Sequence, residues 1–276
     1  MPPGTVRLSS LPDNTAPDLS AVAAELGSLA HDFSVRWLET CVSTNTELMT
    51  HTPADDGRIH VLVTSAQTGG RGRRGRQWLS WPGHSLTFSA LWRFMPGTPV
   101  PAGLSLVVGL ALALTFEKLG VEGVQLKWPN DVLVRGHKLA GVLVELIPGR
   151  GRTMAAVVGI GINIGLPAGV HIPEQAGVSD LTRELGRAPS REALLGLVLT
   201  ELHGLFQTYA VAGFDALRGA WEQHNAFASL PVRITGEGKD VVGTCVGVDE
   251  DGALLIQGDS GLVRILSGEV SLRPNT

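Results

Sequence analysis

The sequence predicts an α+β protein with a mixed or antiparallel sheet and helices, followed by a small all-β domain. Three observations carry this. FSVRWLE (33–39) and SLTFSALWRF (85–94) alternate like strands, the second with Leu86, Phe88, Ala90, Trp92 and Phe94 on one face. Residues 104–119 are apolar all round and end at Gly120, which reads as a buried helix. From Leu230 the texture changes to PVRI, VVGTCVGV, ALLIQG and LVRILSGEVSL, short strands separated by Gly and Asp, as in a small barrel or sandwich.

The elements follow in order. Residues 1–30 are rich in Pro, Ser and Asp and then weakly helical (LSAVAAELGSLA). They are too few for a DNA-reading winged helix, which needs roughly 60. Thr44 and Glu47 form a capping-box pattern that opens a short helix, so Ser43, Thr44 and Asn45 lie at a strand-to-helix junction. HVLVTSAQ (60–67) reads as a buried strand running into an arginine loop. VQLKW and DVLVRGHKLAGVLVELI suggest a hairpin turned at Arg135–Gly136, followed by a strand at AAVVGIGINI (155–164). Residues 190–209 and 214–225 read as helices, the first started by Pro189-Ser190. The expected units are an N-terminal extension (1–30), a catalytic domain (31–229) and a C-terminal β domain (230–276).

The totals narrow the function classes. A net charge of −4 and a pI near 6.1 argue against a general nucleic-acid coat. Cys41 and Cys245 are the only cysteines and the eight histidines are scattered, so no metal ligands are expected. The N-terminus lacks a basic flank followed by an apolar stretch, and the apolar run 104–116 falls short of the roughly 20 residues that span a bilayer. The expectation is a cytoplasmic protein.

GGRGRRGRQW (69–78) packs four arginines and four glycines into ten positions. It satisfies G-x-G-x-x-G, but the residues that follow, RQWLSWPG, have no helical period, which a dinucleotide fold requires. A nucleic-acid contact would be short and isolated in an acidic chain. Composition leaves two readings: a solvated surface loop, or a mobile loop whose arginines close over an anion with Trp78 and Trp81 as an apolar wall.

Three further segments, KWPNDVLV (127–134), KLAGVLVEL (138–146) and GIGINI (159–164), complete a pattern. Together with the Ser-Thr-Asn junction and GGRGRRGRQW, in that order, the chain resembles the biotin protein ligases over roughly residues 35–273, and SGEVSLR (267–273) looks like the close of their C-terminal domain. Family members that also repress transcription carry a winged helix, so the resemblance is to the monofunctional type. It implies a class II synthetase-like catalytic domain and an SH3-like C-terminal barrel. It also implies ATP-dependent activation of biotin to biotinyl-5′-AMP, with Mg²⁺ as partner of ATP, and transfer to a lysine of a biotin carboxyl carrier protein. No DNA or membrane partner is expected, and the protein is a monomer or a homodimer. The alternatives are a lipoate or octanoate ligase or transferase of the related family, and a ligand- or nucleic-acid-binding protein without catalysis.

The resemblance also assigns roles. Lys138, Arg73 and Asp131 are the expected catalytic residues, with Lys138 touching the biotin carboxylate and the α-phosphate. Asp131 orients or deprotonates the acceptor lysine, whose pKa near 10.4 otherwise keeps it protonated. Ser43, Thr44, Asn45, Gln67, Gly70, Arg71, Arg73 and Lys138 match the biotin pocket. Arg71, Arg73, Arg74, Arg76, Trp78, Lys127, Asn130, Lys138 and Asn163 match the ATP and adenylate side. For Ser43 and Thr44 helix capping is the plain alternative, for Asn130 and Asp131 an Asx turn, and for Lys138 a solvated hairpin charge.

Overall fold

The structure is a computed structural model that describes residues 16–95, 102–148, 154–167, 177–236, 241–266 and 270–274. Residues 1–15 of the N-terminal extension and 267–269 of SGEVSLR lie outside them. The helices are α1 (Leu19–Leu26), α2 (Thr44–Thr50), α3 (Leu104–Lys118), α4 (Leu181–Leu185), α5 (Arg191–Ala212) and α6 (Asp215–Gln223). The strands of the first sheet are β1 (Phe33–Cys41), β2 (Ile59–Gln67), β3 (Ser85–Arg93), β4 (Val124–Lys127), β5 (Asp131–Val134), β6 (His137–Pro148) and β7 (Met154–Asn163). Those of the second are β8 (Pro231–Gly236), β9 (Val241–Val248), β10 (Leu254–Gly258), β11 (Gly261–Ile265) and β12 (Val270–Pro274).

The first sheet runs β1-β2-β3-β7-β6-β5-β4. Only β1 and β2 pair in parallel, so the sheet is mixed, one of the two arrangements the sequence allows. Its core face carries Val61, Val63, Phe88, Ala90, Val142, Val158 and Ile160, packed with α3 and α5 in one apolar cluster. Removing each such Val, Ile or Phe side chain from water contributes roughly 1.5–3 kcal/mol. The expected buried helix is α3, with eleven buried residues. By length and composition α5 could cross a membrane, but its Leu194, Val198, Leu202 and Phe206 are buried in this same cluster.

The alternation of SLTFSALWRF is real but incomplete as a guide. Leu86, Phe88, Ala90 and Phe94 line the core, yet Ser85, Thr87, Ser89 and Leu91 on the other face are buried too, because β3 lies inside the sheet under α2. That second face is where the polar residues gather.

Before β1, Asp18 caps α1 by accepting from the N–H groups of Ser20 and Ala21, and Val22 and Leu26 pack into the main cluster beside α5. The second sheet, β11-β10-β9-β8-β12, is antiparallel and buries Val232, Ile234, Cys245, Leu254 and Ile256. Among the bonds that join it to the rest, Trp128 Nε1 donates to Gly252 O at 3.0 Å, and Val248 N donates to Glu222 Oε1 at 2.5 Å. Gly252 has φ +80°, and a Cβ there would press on Gly103 and Leu106 at the start of α3.

Candidate active site

The polar face of the sheet is shaped first by glycines. Register places Gly161 beside Thr87 and Gly141, and Gly159 beside Ser89 and Leu143. A Cβ on Gly159 would collide with the Asn45 amide, and one on Gly161 with the Trp78 indole. A Cβ on Gly141 would stand 3.2 Å from Lys138 Nζ and 3.4 Å from Trp78. GIGINI and KLAGVLVEL therefore supply a bare floor on which these three side chains rest.

A bulge then turns Lys138 onto that floor. On β6 the residues sharing Gly141's face should be odd-numbered, and strict alternation would send residue 138 into the core. Between Val132 and Leu133 the register shifts, so Lys138 opposes Leu133 while Ala140 opposes Val132. The extra residue, Leu139, is buried in the core, and Lys138 emerges on the face of Asp131. Lys138 Nζ lies 2.6 Å from Asp131 Oδ1 and 5.7 Å from the Trp78 ring centroid. Both partners are about four-fifths shielded from solvent, a depth at which one charge needs the other.

The strand-to-helix junction is a hydrogen-bonded unit. Ser43 is the N-cap of α2 through its backbone, but its buried side chain makes no capping bond. The expected Thr44–Glu47 capping box is thus a correction: Thr44 is the first helical residue, and its N–H and hydroxyl both donate to Gln67 Oε1, at 2.8 and 3.2 Å. The Ser89 hydroxyl stands 2.6 Å from Thr44 Oγ1 and 2.5 Å from Asn45 Oδ1. Asn45 Nδ2 donates to Leu143 O and, at 2.8 Å, to Glu145 Oε2. All of Asn45's amide groups are therefore engaged within the protein.

Glu145 carries this chain of bonds to the arginine loop. Both its oxygens accept from Arg71 Nη2 at 3.0 Å. The loop is a closed hairpin: Trp78 N donates to Gly70 O, Gly72 N to Arg76 O, and Arg71 bridges Gln77. A Cβ at Gly70 would strike the Trp78 carbonyl, so glycine is required for that closure. At the tip Arg74 takes a left-handed φ of 57°, a conformation non-glycine residues rarely hold. Arg74 and Arg76 are exposed, whereas Arg73 is partly buried. Burial pushes the Arg73 guanidinium's pKa down from its ordinary value and the Arg74 charge adds to this, while Asp131 opposes both. Arg73 thus shares the neighbourhood of Asp131 and stays charged.

KWPND forms the turn between β4 and β5, where Lys127 is the register partner of Asp131 and the Trp128–Pro129 peptide is cis. Asn130 Nδ2 donates to Val142 O at 2.8 Å and Asn130 O accepts from Val142 N, which fastens the turn to β6. Asn163 Nδ2 donates to Ser179 O and Lys138 O, at 3.0 and 3.3 Å. It holds the strand end that bears Lys138.

Trp78, Asp131 and Lys138 meet around Gly141 and Gly161, with Arg73 in the neighbourhood of Asp131, while Arg71 joins Thr44, Asn45 and Gln67 on the adjoining side through Glu145. Arg74 and Arg76 stay outside this gathering. The sequence reading missed Ser89, Thr87 and Glu145. Glu145 had a signal, being the lone acid in the apolar KLAGVLVEL.

Cationic, partly buried side chains on a glycine floor, beside an arginine hairpin, suit a protein that handles a small anionic ligand. Residues 37–163 match the biotin/lipoate A/B protein ligase family, and residues 231–273 match the biotin protein ligase C terminal domain. The chain belongs to the biotin protein ligases. It is 33% identical over 235 residues to the biotin--[acetyl-CoA-carboxylase] ligase of Paracoccus denitrificans, covering 83% of this chain and 96% of that one. It is 35% identical over 213 residues to the bifunctional ligase/repressor BirA of Escherichia coli, covering 77% of this chain; it spans 66% of that relative's length. Among solved structures, the biotin protein ligase from Aquifex aeolicus in complex with biotin and ATP matches with a TM-score of 0.74 and 32% identity, over 88% of this chain and 99% of that one.

Proposed function

We propose that this chain activates biotin with MgATP and ligates it to a lysine of a biotin carboxyl carrier protein. The observation that carries this reading is the convergence of Lys138, Arg73 and Asp131 beside Trp78 on the Gly141–Gly161 floor. In the first half-reaction a biotin carboxylate oxygen attacks the α-phosphorus of ATP, and the bond to pyrophosphate breaks. Lys138 and Arg73 offer fixed positive charge where negative charge gathers. Mg²⁺ enters with ATP, as part of the nucleotide substrate.

In the second half-reaction the carrier's lysine amine attacks the acyl carbon and AMP leaves. Asp131 takes the proton from the incoming ammonium, or orients it, once Lys138 turns from Asp131 to the phosphate. Arg71 and Trp78 close over the adenylate, with Lys127 at the phosphate side. Gln67 and the Ser43–Thr44 junction meet the ureido ring. Asn45, Asn130 and Asn163 act through the backbone and side chains they hold. The reading includes a catalytic unit over 31–229, a C-terminal unit over 230–276, a cytoplasmic setting, and a monomer or homodimer.

ATP–pyrophosphate exchange with biotin, lipoate and octanoate tests the reading. Exchange with biotin is the expected result. Exchange with lipoate or octanoate alone would move the chain to the sister activity, and none with any acid would leave a binding protein.

A further inference from the structure

Three buried side-chain polar atoms among the described residues have no hydrogen-bond partner in the protein: Trp78 Nε1, Thr87 Oγ1 and Arg93 Nη1. Two of the three flank Gly161. Thr87 is its register partner on β3, and the Trp78 indole lies over it. A buried hydroxyl without a partner is unfavourable, and a folded protein rarely leaves one without a reason.

The neighbours of Thr87 explain why none of them relieves it. Thr64, its register partner on β2, donates back to Ala66 O at 3.0 Å. Ser85 Oγ accepts from Trp81 N, and Ser89 is engaged by Thr44 and Asn45. Thr44's own hydroxyl donates to Gln67. Thr87 therefore stands between Thr64 and Gly161, the glycine under Trp78, 3% exposed, with donor and acceptor both unspent.

We infer that Thr87 is a specificity residue of the acid pocket, its hydroxyl reserved for the polar ring of the acid substrate. This rests on the biotin ligase reading and extends it to the choice of acid. A ureido ring carries N–H donors and a carbonyl acceptor, and either satisfies a hydroxyl. The dithiolane of lipoate and the alkyl chain of octanoate leave it unpaired. A site built to pair a substrate's polar group rejects analogues that lack it far more strongly than an apolar pocket does.

The test is Thr87→Val, which keeps the shape and removes the hydroxyl, with Thr87→Ser as the conservative variant. Biotin-dependent ATP–pyrophosphate exchange should show KM for biotin raised roughly tenfold in Thr87→Val with kcat nearly unchanged. Thr87→Ser should stay near wild type. Exchange with octanoate should rise relative to biotin. The melting temperature of ligand-free Thr87→Val should be unchanged or higher, since the hydroxyl has no partner to lose. An unaltered KM for biotin, or a lowered melting temperature with an unaltered KM, would overturn the inference and make Thr87 a structural residue. Wild-type protein that fails to exchange with biotin would overturn the ligase reading and this inference together, so the two failures are distinct.

Discussion

Lys138 Nζ and Asp131 Oδ1 stand 2.6 Å apart on one face of the β5–β6 hairpin, brought there by a single bulged residue, Leu139. The pair joins the group expected to meet phosphate to the group expected to meet the acceptor amine. In the ligand-free protein each neutralises the other. Under the proposed ligase reading, a ligand phosphate that drew Lys138 away would free the Asp131 carboxylate, and the first half-reaction would prepare the second. Lys138→Gln should lower adenylate formation by about 10²–10³-fold, the scale for losing a positioned charge or donor. Asp131→Asn should spare exchange relative to that loss and slow transfer from preformed adenylate by at least about 10²-fold. Single-turnover transfer to carrier protein separates the two, and an unchanged transfer rate in Asp131→Asn would remove Asp131 from the proton step.

Arg73 is the loop arginine that turns inward, with Arg74 and Arg76 exposed beside it. Retention of a reactive adenylate should therefore depend on Arg73 far more than on its neighbours. Arg73→Gly is expected to release biotinyl-AMP and to biotinylate bystander lysines, while Arg76→Gly is not. Labelling of an added unrelated protein is the readout. Equal retention by both variants counts against the lid role.

The hairpin's closed form is held at its base by Glu145, which ties Arg71 to Asn45 and so to the Thr44–Gln67 unit. Arg71 is half exposed, so the ion pair adds at most about 1 kcal/mol to stability. Its importance is geometric. Glu145→Gln keeps the bond from Asn45 and weakens the grip on Arg71. The expected outcome is a melting temperature within a few degrees of wild type, with faster leakage of adenylate. A large loss of stability without leakage would show that Glu145 merely supports the fold.

Much of this was legible in the residues. The mixed sheet, the buried helix 104–118, the turn at Arg135–Gly136 and the C-terminal strands follow from periodicity and turn chemistry. The site was legible only as a set of motifs, because its geometry depends on features with no local signature. One is the bulge at Leu139, since a parity change in one strand depends on the register of its partner. Another is the polar face of β3, hidden because Ser85, Thr87 and Ser89 read as solvent-facing until α2 covers them. Thr44 shows a third limit. Thr44 and Glu47 have the spacing of a capping box, but Gln67, distant in sequence, draws off the Thr44 hydroxyl.

Trp128 anchors the KWPND turn. It is 1% exposed, and its indole N–H donates to Gly252 O in the turn between β9 and β10. The turn bearing Asn130 and Asp131 is thereby fastened to the C-terminal sheet. Trp128→Phe leaves the Gly252 carbonyl unpaired and should cost about 1–3 kcal/mol. Hydrogen exchange should quicken in residues 246–253 and in 127–131 together. Faster exchange confined to the C-terminal segment would show that the two move independently.

Tyr209 offers a test of the packing in alkaline solution. Its hydroxyl donates to Ala102 O at 2.7 Å at the start of α3, and burial, with the nearby Asp251 charge, pushes its pKa up from 10 to about 12. A phenol whose folded pKa is raised binds its proton more tightly in the native state than in the unfolded one. Its contribution to stability is therefore complete below pH 10 and declines as pH rises toward 12. Denaturant melts should show wild-type stability falling across that window. Tyr209→Phe, which lacks the ionisation, should be less stable than wild type at pH 8 by about 1 kcal/mol and should lose less between pH 10 and 12. Parallel declines in the two proteins would place the alkaline transition on other groups.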